Sequence, residues 1–152
     1  MLNEGDIAPD FELATYGGDT IKLSDLRGRR VVLYFYPKDD TSGCTKEACG
    51  FRDNLAALEE SNATVIGVSP DGVASHEKFR DKYDLNFPLL SDPDHQVAEA
   101  YGAWGTKKMY GREYQGILRS TFVIDPEGRI EKVYAKVKPA EHAGQVASDL
   151  SA

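Results

Sequence analysis

The chain predicts an α/β fold built on a mixed sheet, and three observations predict it. Two continuous β-branched and aromatic runs, residues 31–36 (VVLYFY) and 64–69 (TVIGVS), read as central strands buried on both faces. Each is followed by a segment of helical period. A later pair of apolar runs flanks Asp125-Pro126-Glu127-Gly128, a turn that joins antiparallel strands. The length, 152 residues, suits one domain spanning 1–152 with a core that needs no covalent staples.

The elements follow in order. Residues 11–13 and 20–23 form a small N-terminal β-hairpin around Gly17-Gly18. Strand 31–36 ends at Pro37. From Cys44 the apolar positions are Cys44, Ala48, Phe51, Leu55 and Leu58, stepping four, three, four, three along one helix face. Strand 64–69 precedes helix 73–83. Residues 87–90 form a short strand limited by Pro88, which has no N–H to give a ladder. Helix 94–101 has Asp94 as its expected cap, and helix 139–150 carries Pro139 in its first turn. Residues 121–124 and 130–135 make the second hairpin, and the stretch holding Trp104, Met109 and Tyr110 reads as a packed loop. This order gives a mixed sheet with helices on both faces. A strand leading at once into a helix whose N-terminus holds a cysteine is the arrangement of the thioredoxin-like fold.

Composition narrows the function. The chain has 25 acidic and 18 basic residues, a formal charge of -7, which disfavours nucleic acid or an anionic membrane surface as partner. The start, MLNEGD, lacks the basic and apolar character of a leader, and no apolar run reaches the ~18 residues of a membrane span. A cytoplasmic location is expected. Two cysteines, Cys44 and Cys49, are too few for a disulfide framework, and in a reducing compartment a close pair points to catalysis or metal binding. His76, His95 and His142 are scattered and give no zinc spacing, so no metal or cofactor is expected. Gly67-Val68-Ser69-Pro70-Asp71 lacks the last glycine of a nucleophile elbow.

Cys44 falls where a helix begins. Unpaired N–H groups and the helix dipole favour a thiolate there. A second thiol nearby can trap the oxidised form of the first.

The segment Pro37-Lys38-Asp39-Asp40-Thr41-Ser42-Gly43-Cys44 resembles the peroxiredoxin signature, Pro then Thr four residues on and Cys three further. The wider match, through Cys49 and in Tyr101-Gly102-Ala103-Trp104-Gly105, Met109-Tyr110-Gly111-Arg112 and Arg119-Ser120-Thr121-Phe122, is similar to the bacterioferritin-comigratory-protein or peroxiredoxin Q branch. The resemblance implies a thiol peroxidase that reduces hydrogen peroxide and organic hydroperoxides. Cys44 is then the peroxidatic cysteine and becomes a sulfenic acid. Thr41 holds thiolate and peroxide, Arg119 sits beside the sulfur, and Pro37 shields the pocket. Cys49 is the resolving cysteine, closing an intramolecular disulfide that a thioredoxin or similar dithiol reductant reopens. The branch implies a monomer or a weak dimer. Ser42 stands where the family often has Pro, which loosens the loop without touching the chemistry. Glu47 and Arg112 are candidates for orienting Arg119, and Trp104, Met109 and Tyr110 for rimming the pocket or receiving the reductant; solvated or packed roles are the alternatives. A thioredoxin-fold sensor, in which oxidised Cys44 signals to a partner, is the competing function.

Two magnitudes constrain this reading. An ordinary thiol, with a pKa near ~8.5, is about 3% thiolate at pH 7, so full ionisation gains only roughly 30-fold. A thousandfold acceleration takes about 4 kcal/mol from the barrier, so groups aimed at the shifting charge must supply the rest. Second, positions 44 and 49 of one helix lie roughly 8–9 Å apart between Cα atoms. A disulfide tolerates about 7 Å. The helix must therefore unwind over about 43–50 for the cysteines to join.

Overall fold

Seven strands form one twisted sheet in the computed structural model, which describes residues 1–151. Within it β3 (Arg30–Phe35) pairs in parallel with the middle strand, β4 (Ala63–Ser69), and antiparallel with β8 (Ser120–Ile124). On one side β4 pairs with β5 (Leu89–Ser91), which meets β1 (Glu12–Ala14) and then β2 (Thr20–Lys22); on the other, β9 (Ile130–Tyr134) closes the edge against β8. The alternation of a pleated strand sorts β3 between two cores. Val32 and Tyr34 face α1 (Ser42–Glu60) and α4 (Pro139–Ser151), with Phe51, Leu58, Val146 and Leu150 in the same cluster. Val31, Leu33 and Phe35 face the other way, with Phe122, Ile124 and the α3 (Gln96–Tyr101) residues Val97 and Tyr101. The remaining helix, α2 (Val73–Tyr83), brings Phe79 into the first cluster.

This geometry fixes the site because α1 is clamped along its length. Phe51 is fully buried and stacks on Tyr34 with ring centroids 4.7 Å apart. Removing such a ring costs roughly 3–5 kcal/mol. Gly50 lies where a Cβ would come 3.1 Å from the Ala143 Cβ, so α1 and α4 approach closely at that point. The N-terminal turn of α1 is thereby held at the edge of β3 and β8.

Several expectations shift. The N-terminal hairpin is there, in register Leu13↔Ile21, but Ala14 also pairs with Ser91, so it extends the main sheet. The third parallel strand starts at Leu89, after Pro88, whose carbonyl instead accepts from the Gly67 N–H. Helix α3 starts at Gln96 and Asp94 does not cap it; His95 takes a left-handed conformation with φ 48°, and the Asp92 carboxylate accepts from the N–H groups of Val97 and Ala98. The stretch read as a loop holds a separate two-stranded hairpin, β6 (Trp104–Met109) and β7 (Arg112–Ile117), turning through Tyr110 and Gly111 at φ 53° and 77°. Its strands are mostly solvent-exposed, so no alternation of apolar and polar residues marks them. No helix of the described residues is long and apolar enough to cross a membrane.

Candidate active site

Strand β3 runs out at Phe35, Tyr36 still bonds through its N–H to the Val68 carbonyl, and Pro37 then breaks the ladder. The chain makes one loop before α1 begins, with Thr41 as the residue ahead of its first turn. Asp40 in that loop is left-handed, φ 57°, and its carboxylate is held by the Lys82 ammonium and the Tyr83 hydroxyl, both at 2.8 Å. Thr41 donates its hydroxyl hydrogen to the Lys38 carbonyl at 2.8 Å. Cys44 is the third residue of the helix and only 1% exposed. First-turn N–H groups lack a carbonyl one turn ahead, so those near Cys44 are directed at an incoming anion.

The cation comes from 75 residues away. Arg119 immediately precedes β8, the antiparallel neighbour of β3, and that pairing carries its side chain over the start of α1. One guanidinium nitrogen, Nη2, donates to Cys44 Sγ at 3.1 Å. The other, Nη1, donates to Glu47 Oε1 at 2.6 Å. A Cβ on Gly43 would lie 3.3 Å from Nη2 and 3.5 Å from the Pro139 ring, so the absence of a side chain there admits the guanidinium.

Glu47 is 0% exposed and its second oxygen, Oε2, has no partner. Burial pushes its carboxyl up to about 7 even though Arg119 pulls the other way. For Arg119, burial works against the charge, but Glu47 and Cys44 outweigh it and hold the guanidinium's proton more tightly than usual. The result is a line of three groups, carboxyl, guanidinium and sulfur, in which one cation is divided between two acids. Lys107 of β6 also lies within their field: burial first, then Arg119, lowers its ammonium pKa, and Cys44 opposes them.

Of the residues singled out from sequence, the fold brings Cys44 and Arg119 into contact and sets Thr41 at the mouth of the same helix. Pro37 is half-buried where the loop leaves the sheet. Cys49 is half-buried further along α1, with both cysteines free. Five residues of helix place it ~140° around the axis from Cys44. Glu47 proves to be Arg119's partner, whereas Arg112 is exposed on the outer hairpin. Trp104 stacks on His95 at 3.7 Å, and Met109 and Tyr110 stand in solvent at the hairpin turn, Tyr110 at 98% exposure.

Two of the histidines that give no zinc spacing are buried and polar-bonded. His142 of α4 is 2.7 Å from the Thr121 hydroxyl, and burial and then Arg119 depress its pKa to about 4. His76 of α2 contacts Asp39 at 2.7 Å and the Leu90 carbonyl at 2.9 Å. Each occupies a core-facing helical position, which was the available signal.

Residues 5–133 match the AhpC/TSA family. The chain is 51% identical over 146 residues to "Peroxiredoxin Bcp" of Bacillus subtilis, covering 96% of this chain and 93% of that one. It is 47% identical over 141 residues to "Peroxiredoxin Bcp" of Escherichia coli K12, covering 93% and 90%. Among solved structures, a cysteine-to-serine mutant of Xylella fastidiosa PrxQ superposes with a TM-score of 0.93 at 39% identity, over 99% of this chain and 96% of that one. Xanthomonas campestris peroxiredoxin Q gives 0.88 at 40% identity, over 93% and 89%.

Proposed function

The chain belongs to the AhpC/TSA family, on its Bcp and peroxiredoxin Q side, and is a peroxidase; from that premise we propose that Cys44 is its peroxidatic and Cys49 its resolving cysteine. The observation that carries the reading is the Arg119 guanidinium donating to the Sγ of buried Cys44 at 3.1 Å.

The Cys44 thiolate attacks the terminal oxygen of a peroxide, ROOH. The S–O bond forms as the O–O bond breaks, giving a sulfenic acid and an alkoxide or hydroxide that takes up a proton. Negative charge moves from sulfur to the departing oxygen during this step. Arg119, already beside the sulfur, is set to follow it, as are the first-turn N–H groups of α1. Because Thr41 has its hydroxyl hydrogen on the Lys38 carbonyl, its oxygen is left to accept the peroxide's hydrogen. Pro37 shields the pocket. The first turns of α1 then open, the Cys49 thiol displaces water from the sulfenic acid, and a disulfide forms. A thioredoxin or similar dithiol reductant reduces that bond and is itself oxidised.

Hydrogen peroxide and organic hydroperoxides are the substrates in this reading; alkyl peroxide reduction is named for the Xanthomonas campestris bacterioferritin comigratory protein, to which the chain is 40% identical. The chain acts as one domain, as a monomer or a weak dimer, in the cytoplasm.

The test is turnover of hydrogen peroxide and of cumene hydroperoxide with thioredoxin, thioredoxin reductase and NADPH. Sustained NADPH consumption that is abolished by Cys44→Ser is expected. With Cys49→Ser, one equivalent of peroxide is consumed and a sulfenic acid accumulates on Cys44. A single stoichiometric oxidation of the unmodified protein, without recycling by any dithiol, overturns the reading in favour of a sensor.

A further inference from the structure

We propose that Asp71 is a positioning residue for the peroxide, acting through the Lys38–Asp39 peptide to fix the direction of the Thr41 hydroxyl. The inference rests on Thr41 being the peroxide-holding hydroxyl.

A threonine hydroxyl has one hydrogen, and where it points decides whether the oxygen donates to the substrate or accepts from it. In Thr41 it points to the Lys38 carbonyl at 2.8 Å. That carbonyl and the Asp39 N–H belong to one planar peptide unit, so fixing the N–H fixes the carbonyl. The Asp39 N–H donates to Asp71 Oδ2 at 2.8 Å. A carboxylate acceptor makes this a charge-assisted bond, about twice as strong as a neutral one.

Asp71 is itself anchored from the sheet. Its Oδ2 accepts from the Ser69 hydroxyl at 2.9 Å, its N–H donates to Ser69 Oγ at 3.2 Å, and its carbonyl accepts from the Ser91 hydroxyl at 2.7 Å. Ser69 and Ser91 are paired residues of the parallel strands β4 and β5. A continuous series of polar contacts therefore runs from the sheet interior to the hydroxyl at the mouth of α1.

The other side of the peptide is held independently. The Asp39 carboxylate takes the Tyr36 hydroxyl at 2.5 Å, the Ser75 hydroxyl at 2.7 Å and His76 Nδ1 at 2.7 Å. His76 Nε2 faces the Leu90 carbonyl, which can only accept, so Nε2 carries a hydrogen. Asp39 is 8% exposed, and such a network specifies one arrangement only when all its members are satisfied. The loop that carries Thr41 is thus rigid on the side away from Cys44. The segment that must open for resolution starts beyond it. Neither Asp39 nor Asp71 is hydrogen-bonded to the sulfur or the guanidinium, and the bonded route from Asp71 towards the peroxide runs through Thr41.

The test separates peroxide handling from thiolate formation. Two rates are measured on the reduced protein: oxidation of Cys44 by hydrogen peroxide, and its alkylation by iodoacetamide, which needs the thiolate but not an aligned O–O bond. Asp71→Ala is expected to slow oxidation by ~10- to 100-fold, the scale of a 1 Å misplacement, and to leave alkylation within about twofold. Asp71→Asn keeps an oxygen for the Asp39 N–H and restores oxidation to within about threefold. In a Thr41→Val background Asp71→Ala costs less than about twofold more, whereas in Thr41→Ser, which retains a hydroxyl, the loss recurs.

Oxidation of Asp71→Ala at the unmodified rate overturns the inference. So does a parallel fall of oxidation and alkylation, or a full Asp71→Ala loss in the Thr41→Val background. If Asp71→Ala does not fold, Ser69→Ala loosens the same carboxylate and carries the same cycle. A Thr41→Val protein that oxidises at the full rate overturns the role of Thr41 itself and this inference with it; a Thr41→Val loss without an Asp71→Ala loss overturns this inference alone.

Discussion

Cys44 and Cys49 ride one unbroken helix, with Cys44 sealed at its first turn and Cys49 half-exposed one and a half turns on. Their sulfurs cannot meet in this state. The intervening segment is held in several places: Ala48 is buried in the core, and Arg119 bonds to both Cys44 and Glu47. Pro139 lies over Gly43 and Ala143 over Gly50, both from α4. Opening the first turns of α1 therefore means separating them from α4, releasing Arg119 and exposing Ala48, while Phe51 and Leu58 remain anchored in the core beneath.

Hydrogen exchange tests that opening. In the disulfide form the amides of 43–50 are expected to lose most of their protection, while those from Phe51 to Glu60 keep it. The reduced protein is expected to protect both segments. Equal protection of 43–50 in the two redox states contradicts the account.

Replacing Arg119 distinguishes charge stabilisation from ionisation. Ionisation alone spans only roughly 30-fold at pH 7, so a larger loss must come from the transition state. Arg119→Ala is best made in a Glu47→Gln background, which avoids leaving a buried carboxylate without its partner. The peroxide rate constant is expected to fall by ~100-fold or more, well beyond the change in thiolate fraction measured by alkylation. A loss that tracks the thiolate fraction argues that Arg119 does no more than ionise the sulfur.

Glu47 competes with Cys44 for the same cation. Its carboxyl titrates at about 7, so near neutrality it passes from a neutral neighbour to an anionic one, and the anion disfavours the thiolate. Glu47→Gln keeps an oxygen for Arg119 Nη1 but never ionises. The alkylation profile of Cys44 across neutral pH is expected to change, with alkylation above pH 7 faster than in the unmodified protein. An unchanged profile means that Glu47 positions Arg119 without sharing its charge.

The same shift has a stability sign. The folded state keeps Glu47's proton between 4.5 and about 7, where the unfolded chain releases it. Glu47's contribution is therefore full below 4.5 and lost as the pH rises through about 7. Relative to the unmodified protein, Glu47→Gln is expected to gain stability on going from pH 6 to pH 8, measured by urea unfolding at each pH.

His142 has the opposite slope. Its folded pKa of about 4 lies below the unfolded 6.5, so its contribution is present above 6.5 and lost as the pH falls towards 4. The gap of about 2.5 pH units sets an upper scale of about 3 kcal/mol. His142→Gln is expected to flatten the acid-side fall in unfolding free energy across that window. An identical fall in both proteins places the loss on other groups.

The local parts of this protein are written in the chain. The strand 31–36 stops at Pro37, Thr41 and Cys44 follow at fixed spacing, and the stripe from Cys44 to Leu58 sets the sulfur on the core-facing side. These features depend on neighbours within a few turns, so sequence alone determines them, and the helix rise alone forbids a disulfide in the intact helix. Where a segment had no buried face, as in the hairpin of β6 and β7, the same reasoning had nothing to read.

Tertiary structure decided what surrounds the sulfur. Arg119 reaches Cys44 because β8 lies antiparallel to β3, a pairing across about ninety residues that no local pattern encodes. Glu47 was legible as a candidate for orienting Arg119, with a solvated helix surface as the alternative, but only packing beneath Arg119 makes it fully buried, with one oxygen unpartnered. The contact of Asp71 with the Lys38–Asp39 peptide likewise exists only once β3 and β4 are side by side. The physical reason is common to all three: desolvation and hydrogen-bond direction are set by atoms close in space, and the sheet brings together residues that the chain keeps far apart.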